Sequence, residues 1–561
     1  MPIAHVVFPV PVDNHFDYLI PGHLSGQVAV GCRVQVVFAR KKCVGVVVGL
    51  AEHSGYKDLI TIIKILDAVP VFSAAMLAFA RNFAEHNACS FGEALFLALP
   101  AYLRKAGDRK KPAAGWPAAT EVAKPEAVHR LIFDPLFEKR WEILLPIMRA
   151  ELAAGRGVLV LVPESSYLEE VLPHLGPLAA VENRVLLRQD AGKDEYARWL
   201  RVRSGEVKLA VGFLSAVFAP VQSLGLIVIV DEESRFYKND QTPFYHAREA
   251  AFLRAEQEKA AVVCISSAPS VELWRQVVAG GVAFEKAVEP LPGVRFLDIS
   301  NFKMKKGSLL SPGLRLHLEK VLKEGGKALL YVPAAKGVGY VLEELAKYLP
   351  QARAAGYEQS SGARPLVDIL VATQAVFRFR GRVTFDFAAA LDIDYEFHKA
   401  DHRAAHAAFA LVQYLRQMAR KSVLLQTRES RSPQLHAIAD DSHEKFYAQE
   451  LPAREETGLP PFGTLAALVI RSADPELACA EAKRLYDVIL AALGEPADSA
   501  EDPGINVMEP QQDRSAILRG KFRWCVVMQG RGRAAVVKAA RGAAFKFRGK
   551  KDTILTVNID P

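Results

Sequence analysis

The chain has 561 residues, enough for about three to five domains. Its 50% hydrophobic and 24% charged residues are ordinary globular usage, which excludes collagen, coiled coil and wholesale disorder. The net charge of +8 leans toward polyanionic partners, and it is concentrated: between Gln511 and Pro561, twelve basic residues stand against three acidic ones, so the rest of the chain is nearly neutral.

Residues 1–104 carry short β-branched runs (AHVVFPVPV, RVQVVFA, CVGVVVGL) broken by Pro or Gly, which predicts a small β-barrel-like domain, followed by helical periodicity from Ala74 to Leu97. Residues 105–128 cluster Lys, Ala, Gly and Pro without periodicity and read as a linker. From His129, amphipathic helices alternate with fully apolar strands (GVLVLVP, VKLAVG, LGLIVIV, AAVVCISS), as parallel strands buried on both faces require. A second such unit follows (KALLYVP, VDILVAT, FAAALDID, SVLLQT). The fold class is therefore multidomain α/β, with two tandem nucleotide-fold lobes at 129–290 and 291–445 and a basic α+β domain at 446–561.

The six cysteines, Cys32, Cys43, Cys89, Cys264, Cys479 and Cys525, never fall at zinc-ligand spacing, so no metal and no zinc is expected. No charged n-region precedes an apolar run, and no 18-residue apolar stretch occurs, which reads as a cytoplasmic protein without a membrane partner. The sharpest local motif is LIVIVDEES: Asp231 and Glu232 end an apolar strand at the edge where a parallel sheet binds ligands, where one carboxylate can hold Mg²⁺ and the other polarise water. A solvated strand end is the equal alternative.

The stretch RWLRVRSGEVKLAVGFLSAVFAPVQSLGLIVIVDEES with YKNDQTPFYHAREAAFLRA resembles the first helicase lobe of the primosomal protein N′ (PriA) replication-restart helicases. MPIAHVVFPVPVDNHFDYLIP and GCRVQVVF resemble that family's 3′-end DNA-binding domain; DILVATQ, LPAREETGLPPF and LRGKFRWCVVMQ resemble its second lobe and C-terminal domain. The resemblance implies two RecA-like lobes and an ATP-dependent 3′→5′ DNA helicase acting on forked DNA.

The chain departs from the family pattern where the motor should be. No GxxxxGK[ST] loop exists; its place reads LIFDPLFEKRWEILL, with Lys139 at the family's lysine, Phe133, Leu136 and Glu138 at glycine positions, Pro135 removing an N–H and Arg140 replacing the hydroxyl. Lys139 then reads as a lysine at a helix start. Ser234 replaces the histidine of DEEH, and QYLRQMAR replaces the arginine-finger segment, leaving Arg420 at its last arginine. The eight-cysteine zinc insertion is missing between YVPAAKGVGY and DILVATQ, and the linker at 105–128 takes the place of the winged-helix module.

Candidate DNA contacts are better kept. Phe16, Asp17 and Tyr18 match the family's 3′-terminus pocket, a ring for stacking and a carboxylate for the 3′-hydroxyl, although Ala39 and Ile60 replace its usual glycine and lysine. Core aromatics of a barrel are the alternative. The loop from Arg235 to Arg248 interleaves aromatics with Arg235 and Lys238 around Tyr237, and reads as a single-strand contact or a packing loop. Arg378, Arg380 and Arg382 alternate as if on one face of a strand, turned toward phosphates or forming a solvated strand edge, and Arg519, Lys521 and Arg523 stud the basic tail.

These readings converge on a DNA-binding replication-restart protein with its motor lost. Expected partners are DNA with a fork or 3′ end, primosome and helicase-loading proteins and single-stranded-DNA-binding protein, at the nucleoid. ATP and Mg²⁺ are cofactors only under the rival reading, an active helicase with Asp231, Glu232 and Arg420 as catalytic groups; a protein-interaction relic is the third.

Overall fold

The computed structural model describes residues 2–105, 127–134, 139–178, 184–187, 193–287, 291–302, 308–357, 367–440, 442–494 and 504–561. Nearly all of the expected linker, and Pro135, Leu136 and Glu138 of the degenerate loop, lie outside the described residues.

Strands β1 (Ile3–Val7), β2 (Phe16–Leu19), β3 (Arg33–Phe38) and β4 (Lys41–Ala51) form the N-terminal sheet, which short strands β5 (Ile60–Thr61) and β6 (Lys64–Ile65) roll up. β5 pairs with β2 and β6 with β3, so one six-residue segment stitches both edges together and gives the barrel-like shape. Gly45 and Gly49 in β4 allow close packing: a Cβ at Gly45 would fall 2.3 Å from Val6. Helices Ala74–His86 and Phe91–Ala98 then leave the barrel, each begun by a serine cap. Their aromatics seat them on the next domain, with the Phe83 ring 5.1 Å from Phe218 and 5.2 Å from Tyr245.

The first lobe is a seven-stranded parallel sheet of β7 (Arg130–Phe133), β8 (Gly157–Leu161), β9 (Arg184–Leu187), β10 (Leu209–Gly212), β11 (Leu224–Val230), β12 (Ala261–Ser266) and β13 (Ala283–Lys286), in the order β13-β7-β12-β11-β8-β10-β9. β11 is buried along its whole length, as its unbroken apolar sequence requires. The second lobe repeats the plan with β14 (Gly293–Asp298), β15 (Ala328–Tyr331), β16 (Ala354–Tyr357), β17 (Ile369–Ala372), β18 (Phe385–Ala390) and β19 (Ala419–Thr427), in the order β14-β19-β18-β15-β17-β16, again parallel. Two three-layer lobes thus stand with strand ends available to build a shared cleft.

Helix His443–Thr457 runs across the expected boundary at 446 and belongs to the lobes: its Tyr447 stacks on Trp274 of the first lobe at 4.5 Å. The C-terminal domain is an antiparallel sheet of β20 (Thr464–Ser472), β21 (Asn506–Val507), β22 (Gln511–Leu518), β23 (Lys521–Gly530) and β24 (Ile554–Ile559), covered by helices Pro475–Leu493 and Arg533–Lys546. Among the described residues no helix is long and apolar enough to cross a membrane.

Candidate functional site: a sealed interlobe cleft and three candidate DNA-binding surfaces

Asp231 follows β11 at the carboxyl edge of the first sheet, with φ of +48° and no exposure. Its two oxygens are taken by two buried guanidinium groups. Arg140, in the first turn of helix Lys139–Ala153, donates from Nη1 to Oδ1 at 3.1 Å, and its backbone N–H donates to Asp134 at 2.7 Å. Arg380 comes from the second lobe, donates from Nη2 to Oδ2 of Asp231 and to the Tyr167 hydroxyl at 2.9 Å, and lies 3.7 Å above the Tyr414 ring. Arginine stays charged and presents a rigid planar fork, so each guanidinium fills a position that a cation on Asp231 would need.

The neighbouring carboxylates are equally committed. Glu232 accepts from Arg248 Nη1 at 2.8 Å, the Ser270 N–H at 2.6 Å and the Ser270 hydroxyl at 2.9 Å. Glu233 accepts from Ser266 and, across the lobe boundary, from the Tyr414 hydroxyl, both at 2.7 Å. Burial, then the charges of Asp231 and Glu232, push the Glu233 carboxyl up to about 8. His406 of the second lobe contacts the carbonyls of Ala268 and Pro269 at 3.0 and 2.9 Å, and the Tyr447 hydroxyl donates to Pro269. These residues do not fit Mg-ATP: Asp231 has no oxygen free of a guanidinium.

The structure corrects several expectations. Arg420 begins β19 and donates to the Thr384 hydroxyl at 2.8 Å, at the amino end of the second sheet, away from the ligands of Asp231. Arg378, Arg380 and Arg382 do not share a strand face, because Gln374–Phe379 coil into a 3₁₀ turn and Gly381 follows with φ of +74°. Arg380 is buried, Arg378 bonds the Ala375 carbonyl, and Arg382 pairs with Glu169 of the first lobe. Tyr237 is fully buried and its hydroxyl reaches the carbonyls of Leu161 and Val230, both at 2.8 Å. Lys238 donates to the carbonyls of Ile559 and Asp560 at 2.9 Å, tying the loop to the C-terminal domain. The packing alternative therefore describes Tyr237 and Lys238; Arg235 and Phe236 remain exposed, the guanidinium 5.3 Å from the ring. Lys139 is the first residue of its helix and half-buried.

In the barrel, the two-residue period of β2 separates the expected pocket residues. Tyr18 is buried core, its hydroxyl bonded to the Val37 carbonyl at 3.0 Å, and Phe16 packs on Phe38 at 4.9 Å and Phe8 at 5.6 Å. Asp17 points the other way, where His5 Nδ1 lies 2.8 Å from Oδ1 and the Ser54 hydroxyl donates to Oδ2 at 2.5 Å. Burial opposes ionisation of Asp17, yet the bonds from Ser54 and His5 outweigh it and hold the carboxyl below its usual range. Ala39 and Arg40 form the two-residue β3–β4 turn with φ of +48° and +64°, which explains why glycine suits position 39. Ile60, opposite Tyr18, is half exposed and offers no charge.

The third surface lies on the C-terminal hairpin. Arg519 and Gly520, with φ of +52° and +72°, form its tight turn between β22 and β23. Arg523 stands directly opposite Arg471 of β20, a like-charge cross-strand pair, and ion-pairs with Asp513 at 2.8 Å. Burial, then the charges of Arg523 and Arg519, lower the Arg471 pKa. Arg471 escaped sequence reading because its partners are some fifty positions away.

A family model for the 3′DNA-binding domain matches residues 5–100. Replication restart protein PriA of Treponema pallidum is 25% identical over 673 aligned residues, covering 100% of this chain and 99% of that protein. The chain is similar to this PriA protein along its whole length. The PriA proteins of Rickettsia conorii and Bacillus subtilis are 22% and 24% identical, covering 94% and 69% of this chain and 94% and 58% of their own lengths. Between helix Ala335–Tyr348 and β17 the sequence contains no cysteine.

Proposed function

We propose that this protein is a DNA-binding replication-restart factor that recognises forked DNA and 3′ ends and serves as a platform for helicase-loading partners, with a silent ATP-driven motor. The observation that carries the silent motor is Asp231 held between Arg140 and Arg380. A helicase stroke needs the lobes to open and close around Mg-nucleotide. Here a buried arginine of the second lobe replaces that cation permanently, and Arg140 stands where the family's hydroxyl would ligand it. The DNA-binding half is supported by the matched 3′DNA-binding domain and by the basic hairpin at Arg519, Lys521 and Arg523. Single-stranded-DNA-binding protein and primosome proteins are the expected partners, in the nucleoid.

Purified protein is expected to bind a fork bearing a 3′ end without DNA-stimulated ATP hydrolysis. Turnover that is abolished by Asp231→Asn overturns the silent motor. Equal, weak binding to forked and blunt duplex DNA overturns the platform.

A further inference from the structure

Outside the cleft, the described residues bring one group of metal-ligating side chains together: His5, His15 and Asp17 on the outer face of the barrel. His5 Nδ1 lies 2.8 Å and His15 Nε2 3.6 Å from the same Asp17 oxygen, Oδ1. The imidazole centroids are 4.1 Å apart with planes tilted by 51°, and the three ligand atoms all fall within 4.8 Å of one another. Ligands on a tetrahedral ion with bonds of about 2.0–2.2 Å stand roughly 3.3–3.6 Å apart, so a cation requires adjustments of tenths of an ångström along the spacings of the two imidazole nitrogens from the Asp17 oxygen.

The fold prepares this group. Antiparallel register sets His5 opposite Asp17 on one side and opposite Gly49 on the other. A Cβ at position 49 would come within 2.9 Å of the His5 ring, so that glycine leaves the ring its space. Ser54 holds the far oxygen of Asp17, fixing the carboxylate's orientation as outer partners of metal ligands do. Exposure rises across the group, 7% for the Asp17 side chain, 24% for His5 and 51% for His15, so its outer side faces solvent. The one arginine that acts on His15, Arg81, has its guanidinium over the Phe91 ring at 4.7 Å.

We propose that His5, His15 and Asp17 bind one divalent transition-metal ion of the zinc class, with a coordination position left open for an oxygen of a DNA 3′ terminus. Two imidazoles and one carboxylate are the donor set that such ions prefer over Mg²⁺ or Ca²⁺, and three protein ligands leave a tetrahedral ion one vacant place. The role toward DNA rests on the proposed function; the metal site itself does not. It also answers the expectation of no metal, which considered cysteines alone.

The test uses the full chain, stripped with EDTA and titrated with Co²⁺ as a spectroscopic probe and Zn²⁺ as competitor, beside His15→Ala and Asp17→Asn. The expected result is one Co²⁺ per chain with visible ligand-field bands, displaced by Zn²⁺, and at least a tenfold weaker affinity in His15→Ala, whose half-exposed position spares the fold. Absence of saturable one-to-one uptake by the wild type overturns the site, as does a His15→Ala variant that binds Zn²⁺ as tightly as wild type. Preference for a 3′-hydroxyl over a 3′-phosphate end is measured in parallel with Zn²⁺ and with EDTA. Metal uptake without any end preference keeps the site and overturns its link to the 3′ terminus. An end preference that persists in EDTA without metal uptake overturns the site and leaves the proposed function standing.

Discussion

Asp231 and Asp17 are two carboxylates near the ends of β-strands, and the chain treats them in opposite ways. Asp231 is wholly buried between two guanidinium groups from two lobes, whereas Asp17 is held by a serine and a histidine beside a half-exposed imidazole. The difference lies in the partner's chemistry. A guanidinium carries a charge it never gives up, so its carboxylate is spent on structure; an imidazole is neutral or charged according to its surroundings and leaves its carboxylate able to change partners. The same residue type is therefore a clamp in one region and an available ligand in the other.

The comparison breaks most readily at Arg380. Replacing it with alanine leaves two buried carboxylates, Asp231 and Asp134, sharing the single guanidinium of Arg140, so stability of the paired lobes should fall by about 3–5 kcal/mol in urea unfolding. The double change Arg380→Met with Asp231→Asn should recover part of that loss. A cost below about 1 kcal/mol for Arg380→Ala would mean that the cleft is wet and the clamp weak.

Tyr237 sharpens the distinction between core and DNA contact. Tyr237→Phe removes one hydroxyl that serves two buried carbonyls and should cost about 1–2 kcal/mol, with fork affinity unchanged. Lost affinity at unchanged stability would restore its place as a DNA contact.

Lys238 gives the comparison a pH axis. Burial, then the nearby Arg403 charge, lower its ammonium pKa to about 7, against 10.5 ordinarily. Between those values the unfolded chain holds a proton that the folded chain has released, so stability rises with pH from about 7 upward. Melting temperature should therefore climb between pH 7 and 9 more in wild type than in Lys238→Gln, and identical slopes would show that the Lys238 contact with the C-terminal domain is solvated.

The smallest effect belongs to the hairpin. Arg519→Ala with Lys521→Ala should lower fork affinity alike for every DNA end and flatten the salt slope by about two phosphates' worth. An unchanged slope would move the phosphate-binding surface elsewhere.

The element pattern and several losses were legible in the sequence. Apolar runs such as LGLIVIV can only be strands covered on both faces, and a phosphate loop without glycines cannot converge its N–H groups. Even the substitution of Arg140 for a hydroxyl was readable. The sequence also pointed to Asp17 through its family match, and to Tyr18 as one of two alternatives, of which burial selected core. What only the tertiary structure decided is where each charge goes. Arg140, Asp231 and Arg380 meet although 91 and 149 positions separate them, and the RFRGRV segment looks like a strand until Gly381 turns it. Likewise His5 and His15 acquire a common partner in Asp17 only when β1 and β2 pair in register. Local pattern fixes secondary structure because it is set by neighbours in the chain. Ion pairs and ligand groups are set by neighbours in space, and those come into being only with packing.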